Sequence, residues 1–385
     1  MTATFMHLTD SHLELRARAQ EFLSDHWSTV EQRAGSTETF RRTAIDAGLL
    51  YRWVPKAYGG AEMDSDVISE AIIDAEFRAV QAPGELDSIG ARMVVPTLLE
   101  HANPALCKAF AGPTIVGQIR WCQGYSEPGV GSDLASVTTR ATATDDRYWR
   151  IDGRKIWTSY AADADYVFVL ARTDAADRGH DGLSYILVPM DQPGVRVEPI
   201  RQITGAATFN EVIFDDARTP LDHVVGEPGN GWTVATTTLR HERTMISGAG
   251  RLGTLFRALL RAYAARGAPH DPALAQRLME LRELVEVKRF ATIEQAFGTA
   301  QDLTVLRLTD KLFQSAFQEK VAALAMDLLP SVAADLPRTE VVEARWVTQI
   351  LGSLGLTIAG GTSNIQRDIL ARRGLGMPEQ RRADQ

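Results

Sequence analysis

The sequence predicts an α+β protein laid out as helices, then strands, then helices. Three observations predict it. Apolar residues recur at helical spacing through the first 120 positions. Short runs rich in Val, Ile, Tyr and Phe then follow one another between turn signals, with no helical pattern among them. Long Leu/Ala/Val-rich helical patterns return from Gly231 to the end. The expected domains are an N-terminal helical domain over 1–120, an antiparallel β-barrel or sandwich over 121–228, and a C-terminal four-helix-type bundle over 229–385. A length of 385 residues suits two or three such domains.

In the first domain Leu13, Leu15, Ala19, Phe22, Leu23 and Trp27 mark one helix over about 11–33. A second covers 37–47 and stops at Gly48, since glycine ends helices readily. Pro55–Gly60 is a turn, and helices resume over 65–80, 89–101 and 104–115. Strands are expected over 137–142, 148–152, 166–171, 184–189, 195–198 and 211–215, with Ile119–Cys122 a short one before them. Asp152-Gly153, Gly179–Gly182 and Gln192-Pro193-Gly194 supply turns. The last domain reads as helices over 232–266, 272–298, 302–329, 338–350 and 364–373, broken at Gly267-Ala268-Pro269 and Leu329-Pro330.

Composition narrows the function. Hydrophobic content of 45% and charged content of 23% are those of an ordinary soluble enzyme. A net charge of −8 argues against a nucleic-acid surface. Cys107 and Cys122 form neither a disulfide framework nor a metal-ligand spacing, which suits a reducing cytoplasm. Met1–Leu15 lacks a secretion signal, and no run approaches the ~18 apolar residues of a membrane helix. Several motifs fail on inspection. Gly129–Leu134 lacks the third glycine of a dinucleotide fingerprint. Gly124–Pro128 has proline where a nucleophile elbow needs glycine, and His241-Glu242 has no second histidine one turn on. No metal site is expected.

Two features carry chemistry. Gln123–Asp133 packs three glycines with Ser126 and Ser132; it is either a plain turn or a backbone that approaches a flat or phosphorylated ligand. The second feature is Glu242. At ~100° per residue, Ala235, Leu239, Ile246, Ala249, Gly253 and Phe256 share one helix stripe, and Glu242 falls in its middle. Arg240, His241, Thr244, Ser247 and Arg251 make the polar side. A carboxylate on an inward face is costly unless paired or used. Glu242 is therefore either half of a structural ion pair, with Arg243 or Arg367, or a functional acid.

Taken together these pieces resemble the flavin-dependent acyl-CoA dehydrogenases. Gly124–Ser136 matches that family's first signature except that Tyr125 replaces a usual aliphatic residue. Pro55–Gly60, Gly153–Ser159, Phe209–Val212 through Pro220, Gly229–Trp232 and Gly360–Arg367 look like its further stations in the same order. The resemblance implies a non-covalent FAD between the strand domain and the bundle. It places Gln123, Tyr125, Ser126, Gly131 and Ser132 along the flavin or the thioester's cofactor arm, with Ser132 also a substrate contact. Trp157 and Ser159 would meet the isoalloxazine near N5, and Thr362 and Asn364 would reach the cofactor from the C-terminal side. The implied chemistry is α,β-dehydrogenation of an acyl thioester. A carboxylate removes the α-proton, hydride leaves the β-carbon for flavin N5, and donors polarise the carbonyl.

The commonest members carry the base where this chain has Gly360. Long-chain and isovaleryl-type enzymes leave that position small and take the base from the bundle helix, before an arginine. The resemblance therefore selects Glu242 as base and Arg243 as its electrostatic or substrate-positioning partner, with the Gly360 N–H left to polarise the carbonyl. The family's Arg-x-x-Phe-Gly run, which reaches a neighbouring subunit's FAD, is not found between Ala264 and Pro272. An acyl-CoA, an electron-transferring flavoprotein and a homo- or hetero-oligomer (dimer or tetramer) are the implied partners. The alternatives are a dehydrogenase of carrier-protein-bound acyl groups and a structural subunit of a mixed oligomer.

Overall fold

The computed structural model describes residues 8–64, 66–144, 147–174, 179–246, 249–265, 271–297, 300–328 and 342–378. Contacts divide the chain into two compact units, one of residues 1–200 and 208–241, the other of 201–207 and 242–385.

The first unit begins with α1 (Asp10–Trp27), α2 (Val30–Arg33), α3 (Thr37–Asp46), α4 (Val67–Ala79), α5 (Val95–His101) and α6 (Pro104–Val116). The single helix expected over 11–33 breaks after Trp27. There the Thr29 side chain accepts from Gln32 N at 3.2 Å and the Gln32 side chain accepts from Thr29 N at 2.9 Å, a reciprocal cap that starts a new helix. The helix expected over 89–101 opens instead as a π-turn, Gly90–Val94, before α5. Pro96 has no N–H for the Arg92 carbonyl, and the wider turn relieves its ring. Leu15, Ala19, Phe22 and Trp27 of α1 pack with Phe40 and Phe77, with Trp27 and Phe40 ring centres 4.8 Å apart. Burial of Leu15, Phe22, Phe40 and Phe77 stabilises the fold by roughly 1.5–3 kcal/mol each.

An eight-stranded sheet follows: β1 (Trp121–Gly124), β2 (Arg140–Thr144), β3 (Tyr148–Ser159), β4 (Tyr166–Arg172), β5 (Leu183–Pro189), β6 (Val195–Ile200), β7 (Phe209–Pro220) and β8 (Val224–Val225). Its order is β6-β7-β3-β2-β4-β5-β8, with β1 on β4. Pairing is antiparallel except that β1 runs parallel to β4 over Tyr166–Val169 and β2 meets β4 in parallel at Arg172. β3 and β7 reach 12 residues each, more than twice the expected lengths. Asp152-Gly153, expected to end a strand, is a bulge within β3. The register shifts there, Gly153 has φ +152°, and a Cβ on it would lie 2.5 Å from Thr139 Oγ1.

Helix α7 (Gly231–Ile246) starts in the first unit and ends in the second. Its start presses on β5 so closely that a Cβ on Gly231 would lie 2.4 Å from the Ser184 carbonyl carbon. The second unit holds α8 (Ala249–Ala265), α9 (Pro272–Phe297), α10 (Ala300–Leu328), α11 (Val342–Leu356) and α12 (Ser363–Ile369). Of the one helix expected over 232–266, the described residues hold α7 and α8, both helical; positions 247–248 lie outside the described residues. Position 65, positions 266–270 and the expected helix start at 338 lie outside them as well. Leu252, Phe256, Leu259, Leu281, Phe317, Val321, Leu324 and Trp346 make the core of this unit. Among the described residues no helix is long and apolar enough to cross a membrane.

Candidate functional site

Strand β1 carries the chain through Gly124, two residues later than expected, so Gln123 is a strand residue beside Phe168 of β4. Beyond it Tyr125 is buried, Ser126 is half-buried, and Gly131 and Ser132 stand in the open. Glu127 N and Val130 N each bond the other residue's carbonyl, at 2.8 and 2.9 Å, which closes a tight turn. The Ser126 carbonyl accepts from Ile156 N at 2.9 Å and ties the turn to β3. Nothing lies within 4 Å of a Cβ built on Gly129 or Gly131, so no protein atom demands glycine there.

The turn stands on a buried ion pair. Lys155, fully buried on β3, donates to Glu127 Oε1 at 2.9 Å, Tyr125 O at 3.0 Å and Leu170 O at 2.8 Å. The Glu127 carboxylate also accepts from Thr138 N and Oγ1, both at 2.7 Å, and from Thr139 N at 2.8 Å. Burial pushes that carboxyl up, but the Lys155 charge and these bonds outweigh it and hold it at about 2. Burial lowers the Lys155 ammonium. Glu127 is therefore a structural member of the turn, with every lone pair engaged. Because its folded value lies below the ~4.3 of an unfolded glutamate, its stabilisation is complete above about pH 5 and is lost as pH falls from ~4 towards 2. Denaturation midpoints measured between pH 7 and 3 are expected to fall over that acid range, and Glu127→Gln should flatten the slope.

Next to the turn, β3 bulges again between Lys155 and Thr158. Trp157 occupies the bulge at φ +61°, a left-handed conformation disfavoured for a bulky residue, and remains 56% exposed. Its ring meets Phe209 edge-on at 6.2 Å. Ser159 pairs with Phe209 across β3 and β7 and is half-buried. A large aromatic face held outwards against strain, beside an open glycine turn, suits a flat aromatic ligand.

On α7, Glu242 and Arg243 are half-buried, and each is engaged with a neighbour. The sealed face lies slightly off the apolar stripe read from the sequence: Val234, Ala235, Thr237 and Thr238 are buried, whereas Leu239 is half-buried. His241, read as polar-side, is half-buried because its Nε2 meets Glu100 at 2.9 Å, where Arg240 also bonds at 2.6 Å. Sequence reasoning missed this seam of α5 and α7. The signal available was Thr236-Thr237-Thr238, a β-branched run inside a helix.

In the second unit Gly360 and Gly361 have φ +64° and +87°, left-handed at both. Gln366 Nε2 donates to Gly360 O at 3.0 Å, and a Cβ on Gly361 would lie 2.6 Å from that nitrogen. Thr362 caps α12, its Oγ1 accepting from Ile365 N at 3.3 Å. Asn364 is exposed and accepts from Arg367 Nη1 at 3.1 Å. The structure thus brings Gln123, Tyr125, Ser126, Gly131, Ser132, Trp157 and Ser159 together in the first unit. Glu242, Arg243, Gly360, Thr362 and Asn364 belong to the second.

Family models match nearly the whole chain: acyl-CoA dehydrogenase, N-terminal domain, over 9–118; middle domain, over 122–217; and C-terminal domain, over 229–375. Acyl-CoA dehydrogenase IpdE1 of Mycobacterium tuberculosis is 38% identical over 362 residues, covering 92% of this chain and 90% of that protein. Its namesake in Mycolicibacterium smegmatis is 37% identical, covering 92% and 91%. Among solved structures, a Tcur3481-Tcur3483 steroid ACAD superposes with a TM-score of 0.77 at 27% identity, covering 96–97% of this chain and 99% of that one. A ChsE4-ChsE5 complex from Mycobacterium tuberculosis superposes at 0.75 and 25% identity, covering 97% and 100%.

Proposed function

The chain belongs to the acyl-CoA dehydrogenase family, and from that premise we propose that Glu242 is the base of its reaction and that its substrate is a steroid-linked acyl thioester. It is an FAD-dependent oxidoreductase, as the family's members are. The exposed Trp157 and the open turn at Gly129–Ser132 fit a flat, phosphate-bearing cofactor. Gln123, Tyr125, Ser126, Gly131, Ser132, Trp157 and Ser159 would hold it from the β segment, and Thr362 and Asn364 from the bundle. When bound, FAD supplies the two-electron acceptor for the β-hydride.

The proton is the work of this chain's own residues. Gly360 carries the reading, because the position where the commonest members hold their base has no side chain and a left-handed φ of +64°. Glu242 is then the carboxylate left to take the α-proton. Arg243 follows it as a charge partner, and the Gly360 N–H and Ser132 hydroxyl serve the thioester. The segments 1–120, 121–228 and 229–385 act as the N-terminal helical, β and bundle parts. The steroid ACAD relatives favour a polycyclic acyl group, and the ChsE4-ChsE5 complex favours a second, related subunit over a homo-oligomer. Electrons pass to an electron-transferring flavoprotein, in the cytoplasm.

The test is anaerobic bleaching of the flavin by a panel of acyl thioesters. A CoA ester of a steroid-borne carboxylic acid should reduce it at least tenfold faster than straight-chain CoA esters. Faster bleaching by straight chains would overturn the substrate, and bleaching only by carrier-bound esters would make the chain a biosynthetic dehydrogenase. A colourless protein, inactive alone, would make it a structural subunit.

A further inference from the structure

Three threonines in a row inside a helix have no local explanation, because β-branched side chains lose rotamer freedom there. In α7 two of them face α5. Thr237 Oγ1 lies 2.8 Å from His101 Nε2, and Thr238 Oγ1 lies 3.0 Å from Thr97 Oγ1. Thr238 also lies 3.5 Å from the Tyr185 hydroxyl of β5 and 3.1 Å from its own Val234 carbonyl. Thr97, Tyr185 and Thr238 are fully buried. Tyr185 stacks on Phe168 at 5.4 Å, and the ring of Tyr125 meets it edge-on at 6.3 Å. Tyr125 is the one residue of the loop that departs from the family's aliphatic pattern.

The protons give this chain a direction. Thr97 Oγ1 donates to the Met93 carbonyl at 2.7 Å, and a threonine has one hydroxyl proton. The contact between the threonines therefore has Thr238 as donor, its proton shared with Val234 O. The Tyr185 hydroxyl oxygen accepts from the same Thr238 hydroxyl at 3.5 Å. A line of hydroxyl contacts runs from Tyr185 of β5 through Thr238 of α7 and Thr97 of α5 to the Met93 carbonyl in the π-turn before α5. Such pairs hold only in one rotation of the helix, since turning it strands buried hydroxyls without partners.

Glu242 follows Thr238 by four residues and shares its face of α7. We infer that Thr238, clasped between Thr97 and Tyr185, is a positioning residue that sets the rotation of α7 and thereby aims the Glu242 carboxylate. The inference rests on the reading of Glu242 as base. A rotation of α7 by about 20° carries a carboxylate roughly 6 Å from the helix axis through about 2 Å, enough to slow a proton transfer on the order of a hundredfold.

The experiment follows flavin reduction by rapid mixing of the FAD-loaded protein with a steroid-borne acyl-CoA. Thr238→Val is expected to lower the saturating rate constant at least tenfold while the thioester dissociation constant stays within about threefold. Thr238→Ser, which keeps the hydroxyl, should return to within about twofold of the parent. Thr97→Val should resemble Thr238→Val, and the double variant should be no slower than either. A parent-like rate in Thr238→Val, or a loss that Thr238→Ser does not restore, overturns the inference. Glu242→Gln, measured in parallel, separates the two claims. If it reduces flavin normally, the base assignment and this inference fall together. If it is inactive while Thr238→Val is normal, only the positioning role falls.

Discussion

Glu242→Gln is expected to yield a yellow, FAD-loaded protein whose flavin its acyl thioester no longer bleaches. The amide is nearly isosteric with the carboxylate, so the half-buried site on α7 keeps its shape. It does not accept the α-proton at neutral pH. Loss of a positioned general base costs roughly 10²–10⁴ in rate. The rate constant of flavin reduction should fall by that order, while FAD content and thioester affinity hold. Near-normal bleaching would sink the assignment. A companion variant sharpens it. Gly360→Glu restores the carboxylate of the commonest members, but at φ +64° the backbone disfavours any side chain. It is therefore not expected to rescue Glu242→Gln.

Lys155→Met should damage the protein at a different level. It removes three hydrogen bonds and leaves the Glu127 carboxylate buried without its counter-charge. Breaking one partner of a buried pair costs roughly 3–5 kcal/mol, much of a domain's net stability. The Tyr125 and Leu170 carbonyls lose their donor as well, so the turn that carries Ser126, Gly131 and Ser132 loosens with the strand beneath it. A lower thermal midpoint and reduced FAD content after purification are the expected results. The double variant Lys155→Met/Glu127→Gln should be less unstable than the sum of its parts, since each single change strands one buried charge and the double change strands none. A stable, fully FAD-loaded Lys155→Met would show that the pair does not hold the turn.

Much of the architecture was legible along the chain. Glycine and proline marked where elements stop, and apolar periodicity marked which were helices and which strands. The readings that shifted did so for one reason. A cap at Thr29, a π-turn before Pro96 and a bulge at Gly153 are local devices with the same residues as a helix continuing or a strand ending. Only the packing around them says which. At the candidate site Glu242 was visible because a charge interrupts an apolar stripe. Thr238 was not, because a hydroxyl is neither apolar nor charged and leaves no mark on that pattern.

The sequence by itself determined the order of helices and strands, the glycine turn at Gln123–Asp133, the absence of a side chain at 360 and the family motifs. All are properties of a residue and its near neighbours. The tertiary structure alone decided that Glu127 belongs to Lys155, 28 positions away, and that Trp157 stands outwards at φ +61°. It alone joined Thr97 to Thr238 across 141 positions. A buried charge or hydroxyl takes its partner from whichever strand or helix the fold lays beside it. That choice is made by the burial of the whole core, not by the residues next door.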